Sequence, residues 1–346
     1  MNTLLLSGLA LTAAVCASLT AAVIPLLRRA RVVDVPGDRS LHRTPVPRGG
    51  GLAIVLAASL ATWTAVLAAV HLQGAVHAMS GVDVALMGLA TVLAFALLGL
   101  IEDLFSVSVR ARLVLQLVLG AGLGLVAHSA FEVSLWWTPA ICVGTAALVN
   151  ATNFMDGANG LACGHALLTS LWYVQVAAVA PVAGLGLVMV SVAGACLGFL
   201  PFNTPRAKVF LGDSGSYALG SAWAFAVTAC LSRGVAVEAA LAPVLVLLAD
   251  TGYTLWMRLR AGQCWYEPHR LHVYQRLVCA GWPHWASALL VTLAAASCSA
   301  LAAGSLLTSN RLWMPQLAMA AVLILYLKMP SIIGAPNPFP TLRRAR

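Results

Sequence analysis

Carboxylates, carboxamides and glycines are concentrated in short polar stretches that separate long apolar runs. The stretch NATNFMDGANGLA places Asn150, Asn153, Asp156 and Asn159 three residues apart, so that on a helical turn their side chains could share one side. A loop that only reversed the chain would not need such a row. We interpret it as a polar binding site at a membrane edge, with a capping turn as the alternative.

A second polar stretch, FLPFNTPRAKVFLGDSGSYALG, combines acidic and cationic groups. Lys208 supplies a positive charge. The small residues around Asp213 open an apolar run, so their backbone amides are expected to face an anion, as a helix N-terminus does. An acid in such surroundings is explained by a divalent cation, because Mg²⁺ in proteins binds one or two carboxylates together with substrate phosphates. The alternative is an N-capping Asp or Ser.

An acidic pair stands in the stretch GLIEDLFSVSVRARLVLQ, where Glu102 and Asp103 precede Arg110 and Arg112. Two carboxylates at the C-terminal end of a helix are unfavourable in the field of the helix dipole. The pair therefore requires a compensating cation, which is either Mg²⁺ or a nearby arginine. The pair by itself does not distinguish these two.

Two basic loops carry histidines. The loop DVPGDRSLHRTPVPRGGGLAI holds His42 between arginines and ahead of a glycine triplet, which is typical of an anion-binding segment or of a basic turn beside a membrane. The loop WYEPHRLHVYQRL places Arg270 between His269 and His272. These side chains could contact a phosphate or a nucleotide, or form an interfacial amphipathic stretch. A zinc site would need further Cys or His residues at matching spacing.

The elements that position these stretches are predicted to be transmembrane helices. The chain is 61% hydrophobic and 9% charged, whereas soluble domains are about 45–50% apolar and about 25% charged. The runs lack the alternation of a membrane β-barrel and approach the roughly 20 residues that a spanning helix needs. We predict an all-α polytopic membrane protein that forms one domain, 1–346. The eleven predicted spans are 3–27, 49–71, 83–101, 113–127, 134–150, 161–179, 182–200, 216–232, 237–256, 285–306 and 313–329. The short run at 113–127 and the tight turn near 180–181 make ten spans the alternative.

The distribution of positive charge predicts the orientation. With the N-terminus outside, eighteen of the twenty Lys and Arg residues fall on the inner side, and only Arg233 and Arg311 fall outside. The N-terminus is therefore predicted to be periplasmic and the C-terminus cytoplasmic, with all five polar stretches on cytoplasmic loops. The net charge of +9 is explained by this topology and by attraction to lipid headgroups, so we expect the lipid bilayer and no nucleic acid as a partner.

The five stretches together resemble the polyprenyl-phosphate N-acetylhexosamine-1-phosphate transferases (glycosyltransferase family 4), which include O-antigen-initiating enzymes and the peptidoglycan phospho-MurNAc-pentapeptide translocase. The resemblance rests on DVPGDRSLHRTPVPRGGG, GLIED, NATNFMDGANGLA, FNTPRAKVFLGDSGSYALG and HRLHVYQRL, in family order. The last stretch is most like the O-antigen-initiating branch. The resemblance implies transfer of a sugar 1-phosphate from a UDP-N-acetyl sugar to undecaprenyl phosphate, with release of UMP. It also implies Mg²⁺, with Mn²⁺ as the alternative, in the bacterial inner membrane, at the start of O-antigen or related cell-envelope glycan synthesis.

The same resemblance assigns roles to residues of this chain. The acidic residues matched to catalysis are Glu102, Asp103 and Asp213, with Asp213 as the magnesium ligand. The residues matched or expected to bind substrate are Asn153, Asp156, Asn203, Lys208, Phe210, His269, Arg270, His272 and His42. Within this set Phe210 matches an aromatic that stacks on uracil, and the histidine loop is expected near the diphosphate. The family often has Asp where this chain has Glu102 and Asn159, which favours Asp103 as the acting member of the pair.

Two other functions fit a multi-pass chain with polar loops. A polyprenyl-lipid transporter or flippase would need a polar path across the midplane, and the predicted spans hold no such set. A non-catalytic lipid- or nucleotide-binding membrane protein should lack the metal ligand, yet Asp213 is present. Direct attack by the lipid phosphate is preferred to a phospho-aspartate intermediate. N-acetylglucosamine, N-acetylfucosamine and N-acetylquinovosamine all remain open, and the dimeric translocase relatives leave a homodimer open.

Overall fold

The structure is a computed structural model. It describes residues 3–36, 41–42, 44–73, 75–105, 107–180, 182–264, 266–267, 269–307 and 313–336. Parts of the two predicted histidine loops, residues 37–40, 43, 265 and 268, lie outside the described residues, as do 308–312 and the basic C-terminal end, 337–346.

Helices account for nearly all regular structure in the described part of the chain, which confirms the all-α prediction. The α-helices are α1 (Thr3–Arg29), α2 (Gly51–Gln73), α3 (Ala75–Phe105), α4 (Val109–Phe131), α5 (Thr138–Phe154), α6 (Leu161–Val179), α7 (Leu185–Asn203), α8 (Gly212–Ser232), α9 (Val237–Leu241), α10 (Leu245–Arg260), α11 (Val273–Cys279), α12 (His284–Ala302), α13 (Gly304–Leu307) and α14 (Trp313–Ile332). Short 3₁₀ helices occupy Leu135–Trp137 and Ala242–Val244. A two-stranded antiparallel ladder pairs β1 (Val33–Asp34) with β2 (Val46–Pro47), with Val33 opposite Pro47.

Each of the eleven predicted spans contains a helix, and nine helical segments within the described ranges are long and apolar enough to cross a membrane. The other two predicted spans correspond to α5, with 17 residues, and α8, which opens with the polar sequence GDSGS. Nearly every residue of α8 from Gly212 to Cys230 is buried against other helices. A helix enclosed by protein does not need a lipid-facing apolar surface, which explains its lower hydropathy.

Glycines let the polar ends of three helices approach closely. A Cβ added at Gly99 of α3 would lie 2.3 Å from the backbone oxygen of Asp213, at the start of α8. A Cβ at Gly51, which begins α2, would lie 2.3 Å from the Cα of Gly215. No larger residue fits such distances without a shift of the backbone. The glycines thereby bring the GGG, GLIED and GDSGS stretches to one place.

The segment before α10 is broken, and α6 supplies the partners for its carbonyl groups. The 3₁₀ turn Ala242–Val244, which contains Pro243, separates α9 from α10. Three side chains of α6 form hydrogen bonds with carbonyl oxygens of this segment. These bonds are Trp172 to Ala239 O at 2.9 Å, Tyr173 to Ala240 O at 2.8 Å and His165 to Pro243 O at 2.8 Å. A break inside the candidate span Val237–Arg260 is tolerated because neighbouring side chains satisfy the backbone. It directs α10 toward the loops that follow.

Candidate functional site: two cavities that share a helix end

A cavity of about 330 Å³ collects residues from four of the five polar stretches, and we call it the polar cavity. Its lining residues are Asp34, Leu41, His42, Arg48, Asn153, Asp156, Gly157, Ala158, Asn159, Asn203, Phe210, Gly212, Asp213, Gln275 and His284. A backbone bridge positions one wall, because the amide of Phe210 donates to Pro47 O at 2.8 Å and that of Gly50 donates to Phe210 O at 2.9 Å. The bridge sets Arg48 beside the start of α8.

A second cavity of about 600 Å³ lies between α4, α5, α10 and the loop before α11, and we call it the apolar cavity. Its lining residues are Val109, Arg112, Leu113, Gln116, Ala147, Asn150, Ala151, Phe154, Leu248, Thr251, Gly252, Thr254, Leu255, Arg258, Tyr266, Glu267, His269 and His272. Most of its surface is apolar, and arginines and histidines form its polar part. The combination suits a ligand with an apolar body and an anionic head.

Asp213 is the centre of the hydrogen bonds in the polar cavity. Its Oδ2 accepts from Arg48 Nη2 at 2.7 Å, and its Oδ1 accepts from Asn153 Nδ2 at 2.7 Å. Arg48 also reaches Asp103 Oδ1 at 2.8 Å, so that one guanidinium joins two carboxylates. The three predicted stretches that carry Asp103, Asn153 and Asp213 therefore meet, as the sequence predicted.

Asp103 caps the N-terminus of α8. Its Oδ1 accepts from the amide of Asp213 at 3.0 Å, and its Oδ2 accepts from the amide of Ser214 at 2.9 Å. A carboxylate in this position satisfies two otherwise unpaired amides and opposes the positive end of the helix dipole. The expectation that these amides face a bound anion is therefore wrong, because α3 supplies the anion. Asp103 itself lines neither cavity.

Asp156 is the carboxylate of the polar cavity without a partner. It follows the end of α5, and its side chain makes no hydrogen bond or ion pair with any other described residue. Burial, and next the negative charge of Asp213, raise the pKa of Asp156 well above its usual range, while Arg48 opposes the rise. Two carboxylates, those of Asp103 and Asp213, therefore share the Arg48 guanidinium, and the Asp156 carboxylate close to them has no cation of its own among the described contacts. This excess of negative charge fits an added cation.

The donor set of the polar cavity fits Mg²⁺. Asp156 and Asp213 offer carboxylate oxygens, and Asn153 offers an amide oxygen next to them. Among the residues that the structure describes, no three His, Cys, Asp or Glu side chains form a ready metal cage. Mg²⁺ does not require one, because it takes one or two protein carboxylates and completes its octahedron with water and phosphate oxygens. The role of Asp213 as a metal ligand stays a prediction.

Two predicted binding residues shape the wall of the polar cavity. The rings of His42 and Phe210 meet edge to face with their centroids 4.9 Å apart, and His42 Nε2 lies 3.8 Å from Asp34 Oδ2. Asn203 also lines the cavity, but both ends of its amide are engaged. Its Oδ1 accepts from the amide of Gly160 at 2.7 Å and its Nδ2 donates to Val209 O at 3.1 Å. Asn203 thus joins the NATNFMDGANGLA stretch to its own stretch, FLPFNTPRAKVFLGDSGSYALG.

Other predicted site residues lie away from the polar cavity. Lys208 is exposed, with its ammonium 5.8 Å from the ring centroid of Phe202, and it lines neither cavity. Glu102 lines neither cavity, and its Oε1 accepts from Arg112 Nη1 at 3.2 Å. The arginine compensation considered for the acidic pair is therefore present, through Arg48 for one member and Arg112 for the other.

The structure divides the histidine loop from the residues expected beside it. His269 and His272 line the apolar cavity, with ring centroids 4.9 Å apart, and Arg270 lines neither cavity. Burial, followed by the nearby His272 and Arg258, lowers the pKa of His269 to about 4. The sequence grouped these residues with the nucleotide-binding candidates, but they contact a different space.

The sequence analysis missed several residues of the two cavities. Arg48, Gln275 and His284 line the polar cavity, and Arg112 and Arg258 line the apolar one. The arginine directly before the GGG triplet was a visible signal, because glycines there let its backbone approach other loops. His284, which opens α12, had no such signal, and its Nδ1 accepts from the amide of Asn159 at 3.2 Å.

The last turn of α5 forms a partition between the cavities. Asn153 lines the polar cavity, and its neighbour Phe154 lines the apolar one. The first turn of α11 repeats this arrangement, with Gln275 on the polar side and His272 on the apolar side. The two helix ends are joined, because Tyr274 Oη donates to Phe154 O at 2.8 Å. The structure therefore places a polar, acidic site and an apolar site on opposite sides of a thin shared wall.

Comparison with known proteins identifies the family of the chain. Residues 85–231 match glycosyl transferase family 4. The chain is 31% identical to the decaprenyl-phosphate N-acetylglucosaminephosphotransferase of Mycobacterium leprae, over 82% of this chain and 79% of the relative. It is 27% identical to the probable undecaprenyl-phosphate N-acetylglucosaminyl 1-phosphate transferase of Bacillus subtilis, over 78% and 77%. It is 33% identical to the phospho-N-acetylmuramoyl-pentapeptide-transferase of Desulforudis audaxviator, over 57% and 68%. The chain therefore belongs to glycosyl transferase family 4, among the membrane-embedded polyprenyl-phosphate sugar-phosphate transferases.

Proposed function

We propose that this protein transfers an N-acetylhexosamine 1-phosphate from a UDP-sugar to undecaprenyl phosphate, releasing UMP and forming undecaprenyl-diphosphate sugar. The observation that carries the proposal is the shared wall, since Asn153 and Phe154 are consecutive yet line cavities of opposite chemistry. A reaction between a polar nucleotide sugar and a lipid needs such a junction. We place the reaction at the cytoplasmic face of a bacterial inner membrane, as the first step of O-antigen or related glycan synthesis.

The polar cavity is the proposed donor site. The ring of Phe210, held by the edge of His42, offers a face for stacking of the uracil base. Asn153, Asp156 and Asp213 would hold Mg²⁺, or Mn²⁺ in its place, beside the diphosphate. The bound ion would neutralise the diphosphate and stabilise the leaving UMP.

The apolar cavity is the proposed acceptor site. The side chains of Leu113, Leu248 and Leu255 provide an apolar surface for the prenyl chain. Arg112 and Arg258 line the same cavity and provide guanidinium groups that suit a phosphate monoester. Glu102 holds Arg112 in place through the contact at 3.2 Å.

The residues of the chain favour direct attack of the lipid phosphate. One oxygen of that phosphate would form a bond to the sugar-linked phosphorus, while the bond from phosphorus to the UMP oxygen breaks and its electron pair leaves with UMP. Asp103 is poorly placed as a covalent nucleophile, because each of its two carboxylate oxygens already accepts a hydrogen bond from a backbone amide. We assign Asp103 to the support of Asp213 and α8, and Arg48 to contact with the diphosphate once substrate enters.

The proposal is tested with purified protein in lipid nanodiscs, undecaprenyl phosphate, Mg²⁺ and a panel of UDP-N-acetyl sugars. Release of UMP is measured with each sugar, with and without the lipid acceptor. We expect UMP with at least one sugar, only when the lipid phosphate is present, together with a lipid-linked sugar product. Absence of UMP with every sugar would remove the proposal, and release that does not need the lipid would replace it with a hydrolase.

A further inference from the structure

The fully buried carboxylate of Asp250, on α10, contacts α11 and α14 next to the apolar cavity. Tyr326 Oη on α14 donates to its Oδ2 at 2.6 Å, and the amide of Val273 at the start of α11 donates to the same oxygen at 3.1 Å. Oδ1 contacts His272 Nδ1 at 3.0 Å and accepts from Thr254 Oγ1 at 3.2 Å. A carboxylate with this many donors is fixed in orientation, so any group bound to it is fixed as well.

The contact determines which nitrogen of His272 carries a proton. An ionised carboxylate only accepts hydrogen bonds, so the ring must present Nδ1–H to Asp250. The other ring nitrogen, Nε2, makes no hydrogen bond with any residue that the structure describes, although the residue is only 3% exposed. The ring lines the apolar cavity, in which Arg112 and Arg258 also stand. A ring nitrogen without a described partner, in a cavity that also holds two guanidinium groups, points to an anionic ligand.

We propose that Asp250 is a positioning residue that holds His272 in the Nδ1–H form and directs its Nε2 to the phosphate of the polyprenyl acceptor. The inference rests on the proposed function for the identity of that acceptor. A single proton lies between Nε2 and a phosphate oxygen, and the Asp250 carboxylate offsets the imidazolium charge whenever that proton is on the ring. No reacting bond is made or broken by Asp250, which acts only through His272.

Tyr326 provides a matched control for a purely structural role. Removal of its hydroxyl takes one donor away from Asp250 Oδ2 but leaves the contact of Oδ1 with His272. Tyr326→Phe should therefore weaken the packing of α14 and preserve the histidine. Asp250→Asn keeps the shape of the side chain and replaces one acceptor oxygen with a donor amide, which favours the other histidine tautomer.

The first test is nuclear magnetic resonance of ¹⁵N-histidine-labelled protein in nanodiscs, with His272→Gln used to assign the signal. We expect an Nδ1–H signal for His272 in the wild type and in Tyr326→Phe, and its loss in Asp250→Asn. Undecaprenyl phosphate without UDP-sugar should shift the His272 signal, whereas undecaprenol should not. A wild-type His272 protonated only on Nε2 would overturn the inference. A His272 signal that does not change on addition of undecaprenyl phosphate would also overturn it, whether or not the protein catalyses sugar-phosphate transfer.

The second test separates positioning from folding by kinetics. Asp250→Asn should raise KM for undecaprenyl phosphate by about tenfold or more, the loss expected for a hydrogen bond to a charged group, with KM for the UDP-sugar changed by less than about twofold. Tyr326→Phe should lower thermal stability and leave both KM values within about twofold. Equal rises of both KM values in the two variants would assign Asp250 to structure alone. A wild type without transfer would refute the proposed function but leave the resonance test intact.

Discussion

The polar and apolar cavities share one turn of α5 but compensate charge in opposite ways. In the polar cavity Asp156 and Asp213 outnumber Arg48, so the missing charge is positive. The apolar cavity has a mostly apolar surface, and its lining holds two arginines, Arg112 and Arg258, against one carboxylate, Glu267, so the excess charge is positive. A diphosphate in the polar cavity would need a cation between it and the carboxylates. A phosphate monoester in the apolar cavity could bind arginines directly. Under the proposed function, two anionic substrates would meet with only one of them bound through a metal.

Removal of the Asp213 carboxylate should cause the largest loss of activity. Asp213→Asn should lower kcat by about 10²–10³-fold, because the polar cavity loses the group that joins Arg48 and Asn153 and could ligate the ion. Binding of undecaprenyl phosphate, measured separately by titration into nanodiscs, should not change. Asp34→Asn is the matched control, since Asp34 lines the same cavity with a side chain that is 42% exposed and contacts only the His42 ring among the described ion pairs. A variant at Asp213 with near-normal release of UMP would refute the metal role.

Substitution of Arg112 should weaken binding of the lipid phosphate in the apolar cavity. Arg112→Gln should raise KM for undecaprenyl phosphate by about tenfold and leave KM for the UDP-sugar unchanged, because the lost group is a charged donor on the acceptor side only. The measurement is steady-state release of UMP with each substrate varied in turn. Lys208→Gln should have no effect on either KM, since Lys208 is exposed and lines neither cavity. An equal rise of both KM values in Arg112→Gln would contradict the assignment of one substrate to each cavity.

The division into two cavities could not be predicted from the sequence, although the stretches that form them could. Apolar runs and polar gaps are visible in the sequence, which is why the helices and the meeting of Asp103, Asn153 and Asp213 were predictable. The cavity that a residue lines depends on a rotation of about 100° between Asn153 and Phe154 at the end of α5. The orientation of α5 about its own axis, which decides which residue faces which cavity, is set by packing of distant helices, as is the contact that turns Asp103 into a cap.

Proton binding by Asp156 should make both the stability of the protein and its affinity for Mg²⁺ depend on pH. The pKa of Asp156 is raised, so the folded chain holds this proton more tightly than the unfolded chain does. Ionised Asp156 therefore destabilises the metal-free protein above the raised pKa, and the lost stability returns as pH falls through it. Mg²⁺ must displace the proton, so its affinity should rise with pH by up to about tenfold per unit. Thermal unfolding with and without Mg²⁺, from about pH 5.5 to about pH 8, measures both effects.

Asp156→Asn tests the same site at a single pH, because the variant has no ionisable group at this position. The variant should raise the melting temperature of the metal-free protein by about 2–4 °C at neutral pH, since the repulsion by Asp213 is removed. The shift that Mg²⁺ causes should shrink and depend less steeply on pH, since Asp213, whose pKa burial also raises, remains. A wild-type shift by Mg²⁺ that does not vary with pH would contradict a metal site at Asp156.

The last effect concerns the close approach of α3 and α8 next to the polar cavity. Gly99→Ala places a methyl group 2.3 Å from the backbone oxygen of Asp213, so α3 and α8 must separate and Asp103 must move away from the amides that it caps. We expect a loss of about 1–3 kcal/mol in unfolding free energy, the usual result of overpacking, measured by denaturation in detergent. Gly122→Ala on α4 is the control, because nothing lies within 4 Å of its added Cβ and a helical alanine is slightly favoured. Equal stability of the two variants would mean that the polar cavity does not depend on this crossing, and that Asp103 reaches α8 by the flexibility of its own side chain.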